Sequence, residues 1–373
     1  MPEDKRAETN VLVLQGGGAL GAYQAGAYTA LTEAGHEPAW VAGISIGAIN
    51  AAIICGNPPG QRVARLKAFW QGISVDPFGL SFLSALQPRE QMNELSAATA
   101  MVFGVPGFYR PRLPWAGFAV GGPTWGTSIY DTSPLQDTLI SVVDFDYLNK
   151  HGPRLSVGAV DVETGNFAYF DSREMEIGPE HIRASGALPP GFDSVKIGKK
   201  HYWDGGLVSN TPLQFVMENA GSEPLCVFQV DLFSARGPLP ESLSDVTQRD
   251  KDIRYSSRTR LTTDRFTQLH DIRIAAKRLA ERLPPEFHDD ADLATLCKVG
   301  PDCPVTLVHL IHRQTAFEGA AKDYEFSSQS MTEHWSAGLS DVKKTFRHRS
   351  WREREVNKDG LVIFDLAAKP EDR

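Results

Sequence analysis

The sequence predicts an α/β protein with three layers: a mostly parallel central sheet, helices on both faces, and a mainly helical C-terminal region. Three observations lead there. Val11 to Gln15 is a short apolar run that stops at Gly16-Gly17-Gly18, which reads as a fully buried strand. Ala19 to Ala34 then carries Leu20, Tyr23, Ala27 and Leu31 at helical spacings of three and four. Ala39 to Ile44 is a second apolar run that breaks at Ser45. Strand, glycine loop, helix, strand is a βαβ unit, and its right-handed crossover implies parallel strands.

The rest of the chain is read in order. Gly35 closes the first helix as a C-terminal cap. Ile46 to Cys55 is almost wholly apolar, so that helix should be buried on most sides. Gln61 to Trp70 reads as a further helix. Between about 74 and 125 the character changes. Phe78, Phe82, Phe103, Phe108, Tyr109, Trp115, Phe118 and Trp125 lie among prolines and glycines. This insertion reads either as a packed irregular segment or as a lid and acyl-chain wall over a site. Asp131 to Leu148 is helical, with Ser133 as N-cap and Pro134 at the first position. Arg154 to Asp161 and Asn166 to Asp171 read as a hairpin, and Pro179 to Ala187 as a short helix. His201 to Trp203 is a short strand, Pro212 to Asn219 a helix, and Leu225 to Asp231 a strand.

Beyond about Ala235 the chain is more polar. Phe266, Leu269, Ile272, Ala276, Leu279 and Leu283 form an apolar stripe beside Arg265, Arg273, Lys277, Arg278 and Arg282. That pattern reads as a helix with a solvated face, or as a basic face for an anionic membrane surface. Val305 to His312 is a strand, Asp323 to Phe346 mainly helix, and Leu361 to Phe364 a small strand. The expected organisation is a flexible tail at 1–9, a catalytic domain at 10–235 and a C-terminal extension at 236–373 packed on it.

Composition bounds the function. The 373 residues are 42% hydrophobic and 23% charged, which is ordinary for a soluble globular chain. A formal net charge of −8 argues against nucleic acid as a partner. The polar first ten residues and the four-residue run after them do not make a signal peptide, and no apolar run reaches membrane-spanning length. A cytoplasmic protein, with peripheral membrane contact at most, is expected. Cys55, Cys226, Cys297 and Cys303 show no C-x-x-C pair and read as reduced thiols.

The chemistry centres on Gly43-Ile44-Ser45-Ile46-Gly47, a G-x-S-x-G turn between strand and helix. Such a turn presents a serine at the mouth of a sheet. A Cβ at Gly43 or Gly47 would collide with the neighbouring strand or helix. Gly16, Gly18 and Gly21 also fit G-x-G-x-x-G, so a dinucleotide site is an alternative. That use needs an acidic residue at the end of the second strand. Here the strand runs into Ser45, and Glu37 lies at its other end. The loop also suits an oxyanion hole, with Gly16, Gly17 and Gly18 at a helix N-terminus and Gly17 and Gly18 the favoured donors. One such donor is worth about 3 kcal/mol.

A serine hydroxyl needs a base. His270, His288, His309, His312, His334 and His348 follow in sequence, but none sits in a recognisable motif. His309 and His312 are spaced H-x-x-H without the glutamate or helical setting of a zinc site, and read as structural. Asp204 ends a strand and precedes Gly205 and Gly206, which permit a tight turn. Desolvation there would raise its pKa and make it a usable base.

Taken together, Gly16-Gly17-Gly18, Gly43-x-Ser45-x-Gly47 and Asp204-Gly205-Gly206 resemble the patatin-like phospholipases, over roughly residues 10–235. The segment from Arg183 through Ala-Ser-Gly-Ala-Leu-Pro to Pro190 is part of the resemblance. It implies a lipid acyl hydrolase with a Ser–Asp dyad and no histidine, Ser45 as nucleophile, Asp204 as general base and the glycine loop as oxyanion hole. It implies a lipid or other hydrophobic ester as substrate, and neither metal nor cofactor. The family loop commonly carries Arg or Lys where this chain has Leu20. That departure weakens a phospholipid substrate more than a general ester or polyester.

Overall fold

The computed structural model describes residues 8–74, 89–112, 127–298, 303–313, 318–319 and 321–367. The expected lid therefore lies partly outside the described residues: Phe78, Phe82, Trp115, Phe118 and Trp125 are among those left out. So does most of the expected N-terminal tail.

The chain opens with strand β1 (Thr9–Leu14), helix α1 (Gly21–Glu33), strand β2 (Trp40–Gly43) and helix α2 (Ile46–Cys55). Every residue of α2 is buried, as its almost wholly apolar sequence requires. Helices α3 (Pro59–Ile73) and α4 (Arg89–Phe103) and two two-residue strands, β3 (Arg110–Pro111) and β4 (Tyr130–Asp131), precede α5 (Ser133–Val142) and α6 (Phe145–Lys150). Ser133 is the first residue of α5 rather than its cap. Its N–H and hydroxyl both donate to Asp131, which draws it into the first turn.

Then follow β5 (Arg154–Asp161), β6 (Phe167–Asp171), α7 (Pro179–Ser185), β7 (Val195–Ile197), β8 (Lys200–Asp204), α8 (Leu213–Glu218) and β9 (Leu225–Asp231). The last part holds α9 (Leu243–Ala280), α10 (Ala291–Leu296), β10 (Val305–Ile311), α11 (Ser328–Arg347), α12 (Arg349–Arg352) and β11 (Leu361–Phe364).

One nine-stranded sheet runs β11-β10-β9-β1-β2-β5-β8-β7, with β6 on β5. Its half from β11 to β5 is parallel. The pairings of β6, β7 and β8 are antiparallel. The continuous burial of Val11 to Leu14 in β1, and of all of β2 and β9, is what a parallel sheet covered on both faces demands. Residues beyond 235 add β10 and β11 to this same sheet, and α11 lies along α1. A Cβ at Gly26 would strike the Trp335 carbonyl, and one at Gly338 would strike that of Tyr23, so these glycines let the two helices meet backbone to backbone.

One pairing positions the site. A strand has two edges. On β5, β6 occupies one edge over Ser156–Val160. β2 pairs with Arg154–Val157 and β8 with Ala159–Asp161, so both share the other edge, end to end. β2 runs parallel to β5 and stops at Gly43 opposite Val157. β8 runs antiparallel and stops at Asp204 opposite Ala159. The two strand ends face each other across Gly158.

Helix α9 is longer than its stripe suggested, and its buried face differs. Phe266, His270, Arg273 and Ala276 are buried, while Ile272 and Leu279 are about half exposed. The face turned inward follows what the sheet and β11 offer, including the Asp359–His270 contact at 3.4 Å.

Candidate active site

Ser45 caps α2 with φ 57 and ψ −124. Among the described residues it is the one non-glycine with positive φ. Such a conformation costs about 1–3 kcal/mol and persists only where packing over-determines it. The packing is visible. A Cβ at Gly43 would strike the Gly47 carbonyl, and one at Gly47 would strike that of Leu14. The Ser45 N–H donates to Ser185 Oγ at 2.9 Å, and Ser185 donates to the Gly158 carbonyl at 2.6 Å. Ser185, on α7, thus links the turn to β5, the strand along whose edge β2 and β8 meet end to end.

Asp204 arrives from β8 and is 2% exposed. Its N–H donates to the Ala187 carbonyl at 3.0 Å, and its Oδ1 accepts from the Gly206 N–H at 2.7 Å. Burial pushes its carboxyl up to about 7, against the opposing pull of hydrogen bonds from the Ser45 hydroxyl and the Gly206 N–H. A carboxylate so placed holds its proton near neutrality and touches the serine directly. Gly205 abuts the Gly158 carbonyl, so the turn after Asp204 has no room for a side chain there.

The glycine loop sits beside this pair. The Gly16 N–H donates to the Asn210 carbonyl at 3.1 Å, and Asn210 Nδ2 donates back to the Gly16 carbonyl at 3.0 Å. Gly16 therefore anchors the loop. This corrects its expected place among the oxyanion donors, because its N–H is already used. Gly18 adopts φ +55 and opens a short 3-10 turn ahead of α1. Behind the loop, Gln15 Oε1 accepts from the Leu232 and Phe233 N–H groups at 2.6 and 3.0 Å, and Gln15 Nε2 reaches Thr211 at 2.8 Å. Gln24 donates to the Gln15 carbonyl, and Asn50 bridges Gln24, Gly21 and Trp70. These buried amides hold the loop from below.

A cavity opens over Ser45, Asp204 and Gly16 to Gly18. Its walls are apolar. Phe108, Tyr109, Phe192 and Phe326 line it, and their ring centroids lie 5.3–6.5 Å apart. Tyr255, Asp323 and Tyr324 come from the C-terminal part of the chain. Asp323 lies over Gly18 and pairs with Lys251 at 2.7 Å. Arg183 is the cation of the lining, donating to Gln136 at 2.7 Å. Leu20 is fully buried in the core and does not line the cavity. No histidine lines it among the described residues.

The dinucleotide alternative finds no support in this geometry. Glu37 pairs with Arg62 at 2.7 Å and accepts from the Tyr28 hydroxyl, at the other end of β2 from the loop. Ser185, Asn210, Gln15 and the 323–326 wall were not singled out from sequence.

A mostly parallel α/β sheet presents a strained serine at a strand-to-helix turn, and the family that the chain matches makes it an enzyme acting on ester bonds. The chain belongs to the patatin-like phospholipase family, whose members hydrolyse lipid esters. The model described as patatin-like phospholipase matches residues 12–217. A second, described as patatin phospholipase, matches 253–358 and so reaches a region where the sequence resemblance had not extended. A comparison with curated protein sequences finds no match. Among solved structures, the chain is similar to VipD from Legionella pneumophila, at 14% identity and a TM-score of 0.36, covering 89% of this chain and 67% of that one. It is also similar to the human GIVD cytosolic phospholipase A2, at 12% identity and 0.41, covering 92% and 59%. For ExoU from Pseudomonas aeruginosa, in complex with SpcU, the values are 18%, 0.28, 69% and 51%. The chain thus spans between half and two thirds of the length of these proteins. No helix among the described residues is long and apolar enough to cross a membrane.

Proposed function

We propose that the chain is a serine acyl hydrolase that cleaves lipid esters through a Ser45–Asp204 dyad. Asp204 takes the hydroxyl proton of Ser45, and Ser45 Oγ bonds to the ester carbonyl carbon. The carbonyl oxygen becomes an oxyanion held by the N–H groups of Gly17 and Gly18. Collapse of this intermediate expels the alcohol, which takes the proton back from Asp204, and leaves an acyl-enzyme. Asp204 then accepts a proton from water, hydroxide adds to the acyl carbon, and the acid leaves as Ser45 is reprotonated. The observation that carries this reading is the buried Asp204 carboxyl, raised to about 7 and hydrogen-bonded to the strained serine on the floor of an apolar cavity.

The aromatic wall supports a fatty-acyl group. Val102 and Phe103 are exposed at the end of α4, where the Tyr130 hydroxyl meets the Met101 carbonyl, and they support peripheral contact with a lipid surface. Leu20 keeps a second reading open, a non-phospholipid ester or polyester, because the loop position where the family often has a cation is apolar and buried here.

Fluorophosphonate labelling with peptide mapping tests the dyad in wild type, Ser45→Ala and Asp204→Asn. Label is expected on the Ser45 peptide, absent in the first variant and much slowed in the second. Labelling elsewhere, or unchanged in both variants, sinks the reading. A panel of p-nitrophenyl esters and phospholipid vesicles then separates the two substrate classes.

A further inference from the structure

Away from the catalytic cavity, three metal-ligating side chains converge in the C-terminal part of the chain. His312 directly follows β10, Glu318 lies in the connection beyond it, and His334 is on α11. His312 Nε2 lies 3.1 Å from both carboxylate oxygens of Glu318. His334 Nε2 lies 3.3 Å from Oε1 of the same group. One ligand atom from each residue falls within 4.8 Å of the others. The three side chains are 3%, 6% and 7% exposed. His309 takes no part. Residues three apart on a strand point to opposite faces, and its Nδ1 lies 3.7 Å from Asp231 instead. The H-x-x-H spacing thus carried no signal, and the glutamate that it lacked comes six residues after His312.

The spacing suits a shared ion. Ligand atoms about 2.0–2.1 Å from one tetrahedral Zn²⁺ stand about 3.3–3.4 Å apart. Hydrogen bonds from two imidazole N–H groups to one carboxylate fit similar distances. A single Nε2–H has one proton, however, and His312 faces both carboxylate oxygens equally. An ion would engage all three groups at once through their lone pairs. A small cleft has Glu318 and His334 in its wall, together with Asn93, Lys322 and Ser330. It gives an ion a way in and room for a water as fourth ligand.

We propose that His312, Glu318 and His334 bind one first-row divalent cation, with Zn²⁺ the best match to two imidazoles and a carboxylate. The ion is structural. It ties α11 to the end of β10 and holds the stretch that begins at Glu318. Asp323, Tyr324 and Phe326, which wall the catalytic cavity, follow Glu318 by five to eight residues. The site does not depend on the acyl-hydrolase reading.

The test uses the full chain, free of any histidine tag, stripped with a chelator and titrated with Zn²⁺ or Co²⁺ alone. Calorimetry is expected to give one ion per chain, Co²⁺ to give visible d–d bands, and Zn²⁺ to raise Tm. His334→Gln and Glu318→Gln are each expected to weaken binding at least tenfold and to erase the Co²⁺ bands. X-ray absorption on the Zn²⁺-loaded wild type should report imidazole and carboxylate ligands, and it needs no variant that must fold. Absence of saturable one-to-one binding, a shell without imidazole, or unchanged affinity in both variants overturns the proposal and leaves a hydrogen-bonded triad. Loss of fluorophosphonate labelling at Ser45 would bear on the hydrolase reading alone.

Discussion

The floor and the walls of the catalytic cavity are built by different rules. The floor is made of backbone. Gly18 and the Ser45 turn are shaped by strand ends, a positive φ and carbonyls that leave no room for a Cβ, and Gly17 is backed by the Leu232 and Phe233 side chains. The walls are side chains from separate segments: Phe108 and Tyr109, Arg183 and Phe192, Tyr255, and Asp323 to Phe326. Reaction chemistry belongs to the floor, where sub-ångström placement matters, and choice of substrate to the walls, where volume and charge matter. Changes in the floor should therefore act on kcat for every ester, and changes in the walls on discrimination between esters.

The largest effect should come from the serine itself. Ser45→Ala is expected to lower kcat by about 10⁴-fold or more on any ester, with an unchanged circular dichroism spectrum. Residual activity within tenfold of wild type would break the division.

Asp204→Asn should cost about 10³-fold or more in kcat, and it should separate function from stability. The folded-state value of Asp204, about 7, lies above its ordinary 3.8. The native state therefore keeps this proton where the unfolded chain has lost it. Stability is fully present below pH 3.8, declines as pH rises toward 7, and is flat beyond. The asparagine variant lacks that decline. Chemical denaturation at pH 4 and pH 8.5 should show it gaining on wild type, by up to about 4 kcal/mol. A gain in the opposite direction would mean that the carboxylate is stabilised in the fold.

The same carboxyl sets the pH profile. kcat/KM for a neutral ester should rise with pH through an inflection near 7 and fall away below it, because only the ionised form accepts the serine proton. An inflection near 4 would place Asp204 in a wetter site than the one described.

Wall variants should be milder and selective. Phe326→Ala is expected to lower kcat/KM for long-chain esters by about tenfold while short-chain esters change little, since the ring removed is one of the buried apolar surfaces of the cavity. Arg183→Gln should weaken turnover of phospholipids relative to neutral esters by about fivefold, the size of one charge contact at a partly solvated site. Equal losses across both substrate classes would move Arg183 from the walls to the floor.

The two parts also differed in how far they could be read from sequence. Ser45, Asp204 and the glycine loop were legible because a tight turn restricts which residues can occupy it, and that restriction leaves glycine in fixed places. β1, α1, β2 and α2 were legible from periodicity and continuous apolarity. Ser185 and Asn210 were not singled out because they act through the carbonyls of Gly158 and Gly16, which every residue possesses. The 323–326 wall was not legible because it meets Gly18 only once β9 and β10 have brought the chain back across the sheet. The α9 stripe misled because Ile272 and Leu279 share a helical spacing with Phe266 without sharing its face of the fold.

The shared edge of β5 has a consequence for a protein still being made. Ser45, the proposed nucleophile, leaves the ribosome early, whereas Asp204, its proposed base, is 159 positions later and docks only against the stretch of β5 that β2 leaves uncovered. A nascent chain that has folded its first βαβ unit holds a serine with no proton acceptor. On the proposed mechanism the centre thus stays silent until β8 is seated, and chains that stall before then are inert.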